Sequence, residues 1–324
     1  NRDNKFSILR IFDNFVKITD IQRIFPDNTK KQFMRVIEES ELMLNSDGSI
    51  FHLHLRPQDI ADTIILVGDP ARVELVTSYF DSIELEARNR EFVSRTGIYK
   101  GKRFTVTSTG IGTDNIDIVV NELDALANID FTTRAVKQQL KSLNLIRMGT
   151  SGALQPDIPV GSTVMADISI GFDGWLNFYA RRNEVSMLDI EQAYMRHMDW
   201  NPQLPSPYFV KASQKLIDLF GDDVIHGMTI AAPGFYAPQG RVLRLPLQDA
   251  EWLPKIESFR YGDLRITNFE MESSAIAGLA LLMGHNATTI CSIIANRYAK
   301  DANTNYKSAV TDMIKMGLDK LSQL

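Results

Sequence analysis

TIILVGDPARVE, residues 63–74, reads as a strand that ends in a tight turn and runs straight into a helix. The run Thr63 to Val67 is apolar and β-branched, as a buried strand requires, and Pro70 suits the first turn of a helix that extends to Phe80. Gly68 lets backbone approach a ligand closely, and Arg72 falls within that first turn, where helix N–H groups already favour an anion. Phosphate is the natural candidate; a Gly-Asp-Pro turn with a solvated arginine is the other reading of the same residues. Working outward, the pattern repeats. FTVTS precedes a helix over Asp114 to Leu126; NLIRM, STVMADI, VIHGMTI and ATTICSIIA are further strands; helices fall around Lys211 to Phe220, from Met271 and from Tyr306. This alternation predicts an α/β fold, a sheet covered by helices on both faces.

Composition sets limits on partners. The 324 residues are 44% hydrophobic with a formal charge of −5, which gives no positive field to attract nucleic acid or an anionic membrane. The longest apolar run, Ala275 to Gly284, is far short of the roughly 20 residues that span a bilayer. One cysteine, Cys291, cannot form an internal disulfide, so a reduced, cytoplasmic setting is expected. Residues 1–33 mix Ile and Phe with charges, lack a signal-peptide pattern, and read as an extension of unknown role. Met34 is the expected natural start, and residues 34–324, free of repeats and Gly/Ser linkers, read as a single α/β domain.

In open α/β sheets ligands bind beyond the carboxyl ends of strands. After FTVTS, the segment TGIGTDN (109–115) starts like a dinucleotide fingerprint, but Asn115 replaces the third glycine, so NAD binding is rejected. In RMGTSGA (147–153) an arginine sits inside an apolar strand beside Gly149, Thr150 and Gly152, a second anion signal unless Arg147 is paired within the core. In FYAPQGR (235–241) the Gln239 amide donates and accepts while Arg241 only donates, the complement of a planar ring with adjacent C=O and N–H groups. Phe235 or Tyr236 could pack on such a ring, although a polar surface loop has the same composition. In NFEMESS (268–274) Thr267 and Glu270 fit a capping box, which explains Glu270 but not Glu272. A carboxylate there would suit sugar hydroxyls, or would complement the helix dipole. His52 and His54 alternate in FHLHL and would share one strand face, but no third ligand completes a metal site, so none is expected. Cys291 reads as packing.

In this order, GDPARVE, NREF, STGIG, RMGTSGAL, FYAPQGR, NFEMESS and ANR resemble the family-1 nucleoside phosphorylases, most closely the uridine-cleaving branch, over roughly Phe51 to the C-terminus. The resemblance implies a mixed central sheet partly closed into a distorted barrel, and a homo-oligomer with active sites at a dimer interface. It implies that Gly68, Arg72, Arg147 and Thr150 hold phosphate, joined by Arg90 from the neighbouring subunit. It places Met271 and Glu272 on ribose, with His52 of the partner at the 5′-hydroxyl, and Phe235, Gln239 and Arg241 on a pyrimidine. The purine branch carries an aspartate after the strand that here ends in Asn296-Arg297, which favours a pyrimidine. Two departures are Asn89, where a histidine commonly precedes the interface arginine, and Thr113-Asp114-Asn115 near the cation site of some relatives, which argues against bound potassium. Phe131 to Ser142 is longer than in compact relatives, leaving dimer and hexamer open.

The reaction so implied is phosphorolysis of uridine to uracil and ribose 1-phosphate, with phosphate as co-substrate and no organic cofactor. Phosphate is itself the nucleophile, so no Ser/His or Cys/His pair is needed. Arg72 and Arg147 would position it, Glu272 would fix the sugar, and Gln239 with Arg241 would stabilise charge on the departing base. The alternatives are a purine nucleoside phosphorylase or nucleosidase of the same fold, and a non-catalytic nucleoside-binding protein.

Overall fold

The computed structural model describes residues 35–297, 301–302 and 306–324, so the extension 1–33 and Met34 lie outside the described residues. The first strands in chain order are β1 (Thr63–Val67), β2 (Ser82–Asn89), β3 (Phe92–Tyr99), β4 (Lys102–Ser108), the short pair β5 (Ile129–Asp130) and β6 (Ala135–Val136), and β7 (Asn144–Ala153). They are followed by β8 (Thr163–Gly171), β9 (Tyr208–Lys211), β10 (Ile225–Ala231), β11 (Arg260–Tyr261), β12 (Leu264–Glu270), β13 (Asn286–Asn296) and β14 (Asp301–Ala302). The helices are α1 (Pro70–Thr77), α2 (Thr113–Asn128), α3 (Arg182–Val185), α4 (Leu188–Met198), α5 (Gln214–Phe220), α6 (Trp252–Ser258), α7 (Ser273–Met283) and α8 (Lys307–Leu321).

The sheet is mixed and closes on itself. Strands β7, β13, β8, β10 and β12 form a ring, because β12 returns to pair antiparallel with β7 through Asn268–Ala153 and Phe269–Gly152. Register shifts within β8–β10, β10–β12 and β13–β7 supply the local bends that closure needs. From the ring, β1, β4, β3 and β2 extend outward as an open wing. This is the barrel-plus-sheet arrangement that the motifs imply.

β1 shows why the wing is covered on both faces. Ile64 and Leu66 pack with Ile116, Val120, Ile276 and Leu279, under α2 and α7, while Ile65 and Val67 pack with Val73, Ile314 and Leu318, under α1 and α8. Alternating side chains of one strand thus seed two cores.

The decisive feature for the site is a change of partner along β7. Its first half, Asn144 to Arg147, pairs parallel with β1, and its last two residues pair with β12. Between these, at Met148 to Ser151, β1 and β12 diverge from the same edge of β7. That is the topological switch point at which α/β sheets open a ligand crevice; Gly149 and Thr150 lie on it, and Arg147 is the last β1-paired residue at its edge.

FHLHL departs from expectation. Residues 51–53 are turns, His54 has φ +56°, and the two histidines do not share a strand face. Polar contacts explain it: the Glu122 carboxylate draws in the His52 and Leu53 N–H groups, and His54 lies 3.5 Å from Asp47.

Candidate active site

Arg147 is 5% exposed and lies flat along the sheet. A β-carbon on Gly149, two residues on and on the same strand face, would sit 1.7 Å from Arg147 Nη1, so only glycine lets the guanidinium fold over the strand. Arg147 Nη2 donates to Glu272 Oε2, its Nε lies 3.6 Å from Glu270 Oε2, and Nη1 faces Cys291 Sγ at 4.0 Å. Burial works against its charge, but the two carboxylates, Glu272 foremost, together outweigh it and hold its proton more tightly than usual. Even so, the buried Nε has no hydrogen-bond partner among the described residues, and sulfur is a weak acceptor for Nη1. A buried guanidinium with unmet donors costs roughly 1–3 kcal/mol per orphan, which an anion with several oxygens would relieve. Burial pushes the Cys291 thiol up to about 12 even beside this cation, which leaves it a packing residue.

Arg72 adds the second cation. Asp69 caps α1 by accepting from the Ala71 N–H at 2.9 Å, and this fixes the turn that presents Arg72. Its Nη1 donates to the Met148 carbonyl at 3.3 Å. Burial, and then repulsion from Arg147, hold the Arg72 guanidinium below its ordinary pKa. Two guanidiniums close enough to repel each other are the electrostatic setting that an anion would relieve. Gly68 completes the wall, since a side chain there would meet the Gly110 carbonyl at 3.3 Å and Arg147 Nη2 at 3.9 Å. Thr150 is half-buried, three residues beyond Arg147 on β7.

Glu272 is 2% exposed and is the N-cap of α7 rather than a residue within it. The Thr267–Glu270 capping box does not form. Thr267 lies in β12 and donates to the Met228 carbonyl, while the Glu270 carboxylate accepts from the N–H groups of Glu272 at 2.9 Å and Ser273 at 2.8 Å. These two bonds bend the chain at Met271 and Glu272 and delay the helix to Ser273. They leave the Glu272 carboxylate facing Arg147 and the Gly112 N–H, which donates to Oε1 at 2.8 Å. Gly112 itself, at φ +99°, is the N-cap of α2. Burial pushes the Glu270 carboxyl up, with Arg147 pulling the other way. Met271, half-buried, sits between the two acids.

The loop after β10 gathers a second group. Arg241 Nη1 donates to Gln239 Oε1 at 2.6 Å and to the Phe235 carbonyl at 2.5 Å, and its guanidinium stacks 3.6 Å above the Phe235 ring. Gln239 is 3% exposed and Phe235 is 49% exposed. Burial, then Arg297, pull Arg241 down to about 10. Arg297, read in the sequence only as standing with Asn296 where the purine branch carries an aspartate, was given no place in the site. Its Nη2 donates to the Gln239 carbonyl and its backbone N–H to the Ala153 carbonyl, so it ties the loop to the end of β7. Its position directly after the β13 strand was the only available signal. Asn296, by contrast, turns its amide to the carbonyls of Gln155 and Ile158.

Among the described residues, Arg90 and His52 make no hydrogen bond to either group. Arg90 is exposed in the β2–β3 turn at φ +54° and has no partner among the described residues. His52 is half-buried against Glu122 on α2. The Asn89 amide donates to the carbonyls of Phe51 at 3.2 Å and His52 at 2.9 Å, so these two sites share one surface. Among the described residues no cluster suited to a metal ion occurs, and no helix is long and apolar enough to cross a membrane.

The phosphorylase superfamily pattern matches residues 62–324. A uridine phosphorylase of Thermococcus kodakarensis is 30% identical over 79% of this chain and 80% of its own length. A DeoD-type purine nucleoside phosphorylase of Caldanaerobacter subterraneus subsp. tengcongensis is 29% identical over 83% of this chain and 98% of its own. Among solved structures, a Trypanosoma brucei nucleoside phosphorylase described as showing uridine phosphorylase activity superposes with a TM-score of 0.76 and 28% identity, covering 87% of this chain and all of that one. With a matching pattern over most of its length and a relative of this similarity, the chain belongs to the phosphorylase superfamily.

Proposed function

We propose that this chain is a uridine phosphorylase, converting uridine and inorganic phosphate to uracil and ribose 1-phosphate. The observation that carries the reading is the Arg72–Arg147 pair at the β7 switch point, two guanidiniums without a full set of acceptors, next to a buried carboxylate. A nucleoside-binding protein has no use for that pair; a phosphorylase needs it. In this reading Gly68, Arg72, Arg147 and Thr150 hold phosphate, and Met271 and Glu272 hold ribose. Phe235, Gln239 and Arg241 take the base, with Arg297 as their brace. Two copies complete each site, Arg90 and His52 reaching across to the neighbour, which the exposure of Arg90 and its shared surface with His52 support. No organic cofactor or metal takes part, and a reduced cytoplasmic setting suits the single buried cysteine.

Phosphate held beneath the sugar attacks the anomeric carbon as the bond to uracil breaks through an oxocarbenium-like state. Glu272 orients the ribose hydroxyls. Arg241, fixed over Phe235, and Gln239 stabilise charge that grows on the departing base, so their effect is larger in the transition state than before it.

The purine relatives make purine phosphorolysis the second reading. Against it stand the Gln239–Arg241 pair and Asn296, whose amide is committed to two backbone carbonyls and offers no acid to a purine. Initial rates with uridine and inosine in phosphate buffer separate the two: uridine should be cleaved at least tenfold faster, since a half-paired polar pocket costs about 1–3 kcal/mol per lost partner. Faster inosine cleavage would reverse the assignment of the base.

A further inference from the structure

We propose that Glu122 is a positioning residue for the sugar end of the nucleoside, acting through His52. The proposal rests on the uridine reading and on the place of His52 within it. Three donors converge on the one Glu122 carboxylate: the His52 backbone N–H at 3.0 Å, the Leu53 N–H at 2.8 Å, and His52 Nδ1 at 2.6 Å. On the other side of the same turn the Asn89 amide holds the Phe51 and His52 carbonyls. The ring is edge-on to Phe51 and Phe92. Backbone and ring are thus both fixed, in a segment that forms neither helix nor strand.

The chemical consequence lies in the ring. With Nδ1 donating to a carboxylate, Nε2 is the nitrogen left to meet a ligand, and the carboxylate makes it a better acceptor for a hydroxyl. Helix α2 also sets the distance. Its cap, Gly112, donates to Glu272, and ten residues further along the same helix Glu122 holds His52. At 1.5 Å per residue the backbones of Gly112 and Glu122 are about 15 Å apart along the axis. In the reading proposed above, where Glu272 serves its own site and His52 the neighbour's, this one helix braces both the sugar carboxylate and the histidine.

The test compares kcat/KM for uridine and 5′-deoxyuridine in the wild type, Glu122→Gln, His52→Ala and the double variant. Glutamine keeps the size but puts an N–H group where an acceptor stood, so it cannot satisfy both Nδ1 and the backbone donors. The wild type should prefer uridine by roughly tenfold, the value of one well-placed hydrogen bond. Glu122→Gln should bring that ratio close to that of His52→Ala, and the double variant should lower it no further. Glu122→Asp, which keeps the charge but shortens the reach, should fall between, and it decides the matter if Glu122→Gln does not fold. Variants that lose both nucleosides equally, at the wild-type ratio, would make Glu122 a clamp on the chain alone and overturn the proposal. A wild type that cleaves both nucleosides with no preference would reject the His52 contact, and Glu122 with it, while leaving uridine phosphorolysis standing. A wild type that cleaves neither with phosphate present would reject both.

Discussion

The two halves of the candidate site are built differently. The half proposed for phosphate and ribose hangs on the ends of β1 and β7 and the caps of α1 and α7; Arg147 and Glu272 are buried and paired with each other. The base half is a loop with Phe235 and Tyr236 half exposed, held by Arg241 stacked on Phe235 and by Arg297 reaching to the Gln239 carbonyl. The first half costs stability to assemble, because buried charges must be matched, and in the proposed reaction it would in return be preorganised for an anion and an oxocarbenium-like sugar. The second half can be rebuilt without touching the core. A scaffold so divided can keep its phosphorolysis chemistry and change its base, in keeping with relatives named for uridine and for purine nucleosides at similar identity.

The largest break in this comparison is expected at Arg147. Arg147→Ala leaves Glu272 and Glu270 buried without their cation, so activity should fall by at least about a thousandfold and stability by about 3–5 kcal/mol, read by denaturant titration. Arg72→Ala should separate the two effects. Arg72 is half-buried with one long hydrogen bond, so phosphate KM should rise and kcat/KM for phosphate drop roughly a hundredfold, with the unfolding midpoint nearly unchanged.

On the loop side, Arg241→Ala should lower uridine kcat/KM by roughly ten- to a hundredfold and leave the fold intact, without gaining inosine cleavage. The wild-type pH profile should carry the same signature. Burial first, and Arg297 second, set Arg241 near 10, so uridine turnover should fall as pH rises through about 10, and Arg241→Gln should lose that limb. The stability sign is the reverse. The folded chain holds this proton less tightly than the unfolded chain, so the group's destabilising effect is present below about 10 and is relieved as pH rises above it.

Asn296 is expected to matter least for uridine turnover. Asn296→Asp places a carboxylate oxygen against the carbonyls of Gln155 and Ile158. It should destabilise the protein by about 1–3 kcal/mol per lost bond, seen as a lower Tm, and should yield no purine cleavage. Gain of inosine turnover would mean that this position, and not the loop, selects the base.

Much of this was legible in the sequence where a residue's neighbours in space are also its neighbours in the chain. The strand, turn and helix of TIILVGDPARVE follow from local rules, and Gln239 and Arg241 stand out as polar neighbours in one loop, although their bond to each other was not foreseen. What escaped was set by long-range partners. SIELEARN, half of an exposed hairpin, lacks the apolar run that marks a buried strand, so β2 was not foreseen. The capping-box spacing around Glu270 was correct as a pattern, but β12 keeps Thr267 extended and bonded to Met228. FHLHL alternates like a strand, yet Glu122, seventy residues on, outcompetes a ladder for its N–H groups. Arg147 was open between anion ligand and core ion pair. It is paired, and its Nε is still unmatched, which no spacing in the chain could reveal.

Whether phosphate or water takes the ribose is read by following products with uridine in the presence and absence of inorganic phosphate. With phosphate, ribose 1-phosphate, seen by phosphorus NMR, should form in equal amount to uracil, and phosphate-free buffer should release no uracil. Equal uracil release without phosphate, with free ribose as the sugar product, would make the protein a hydrolase and contradict the role given to Arg72 and Arg147.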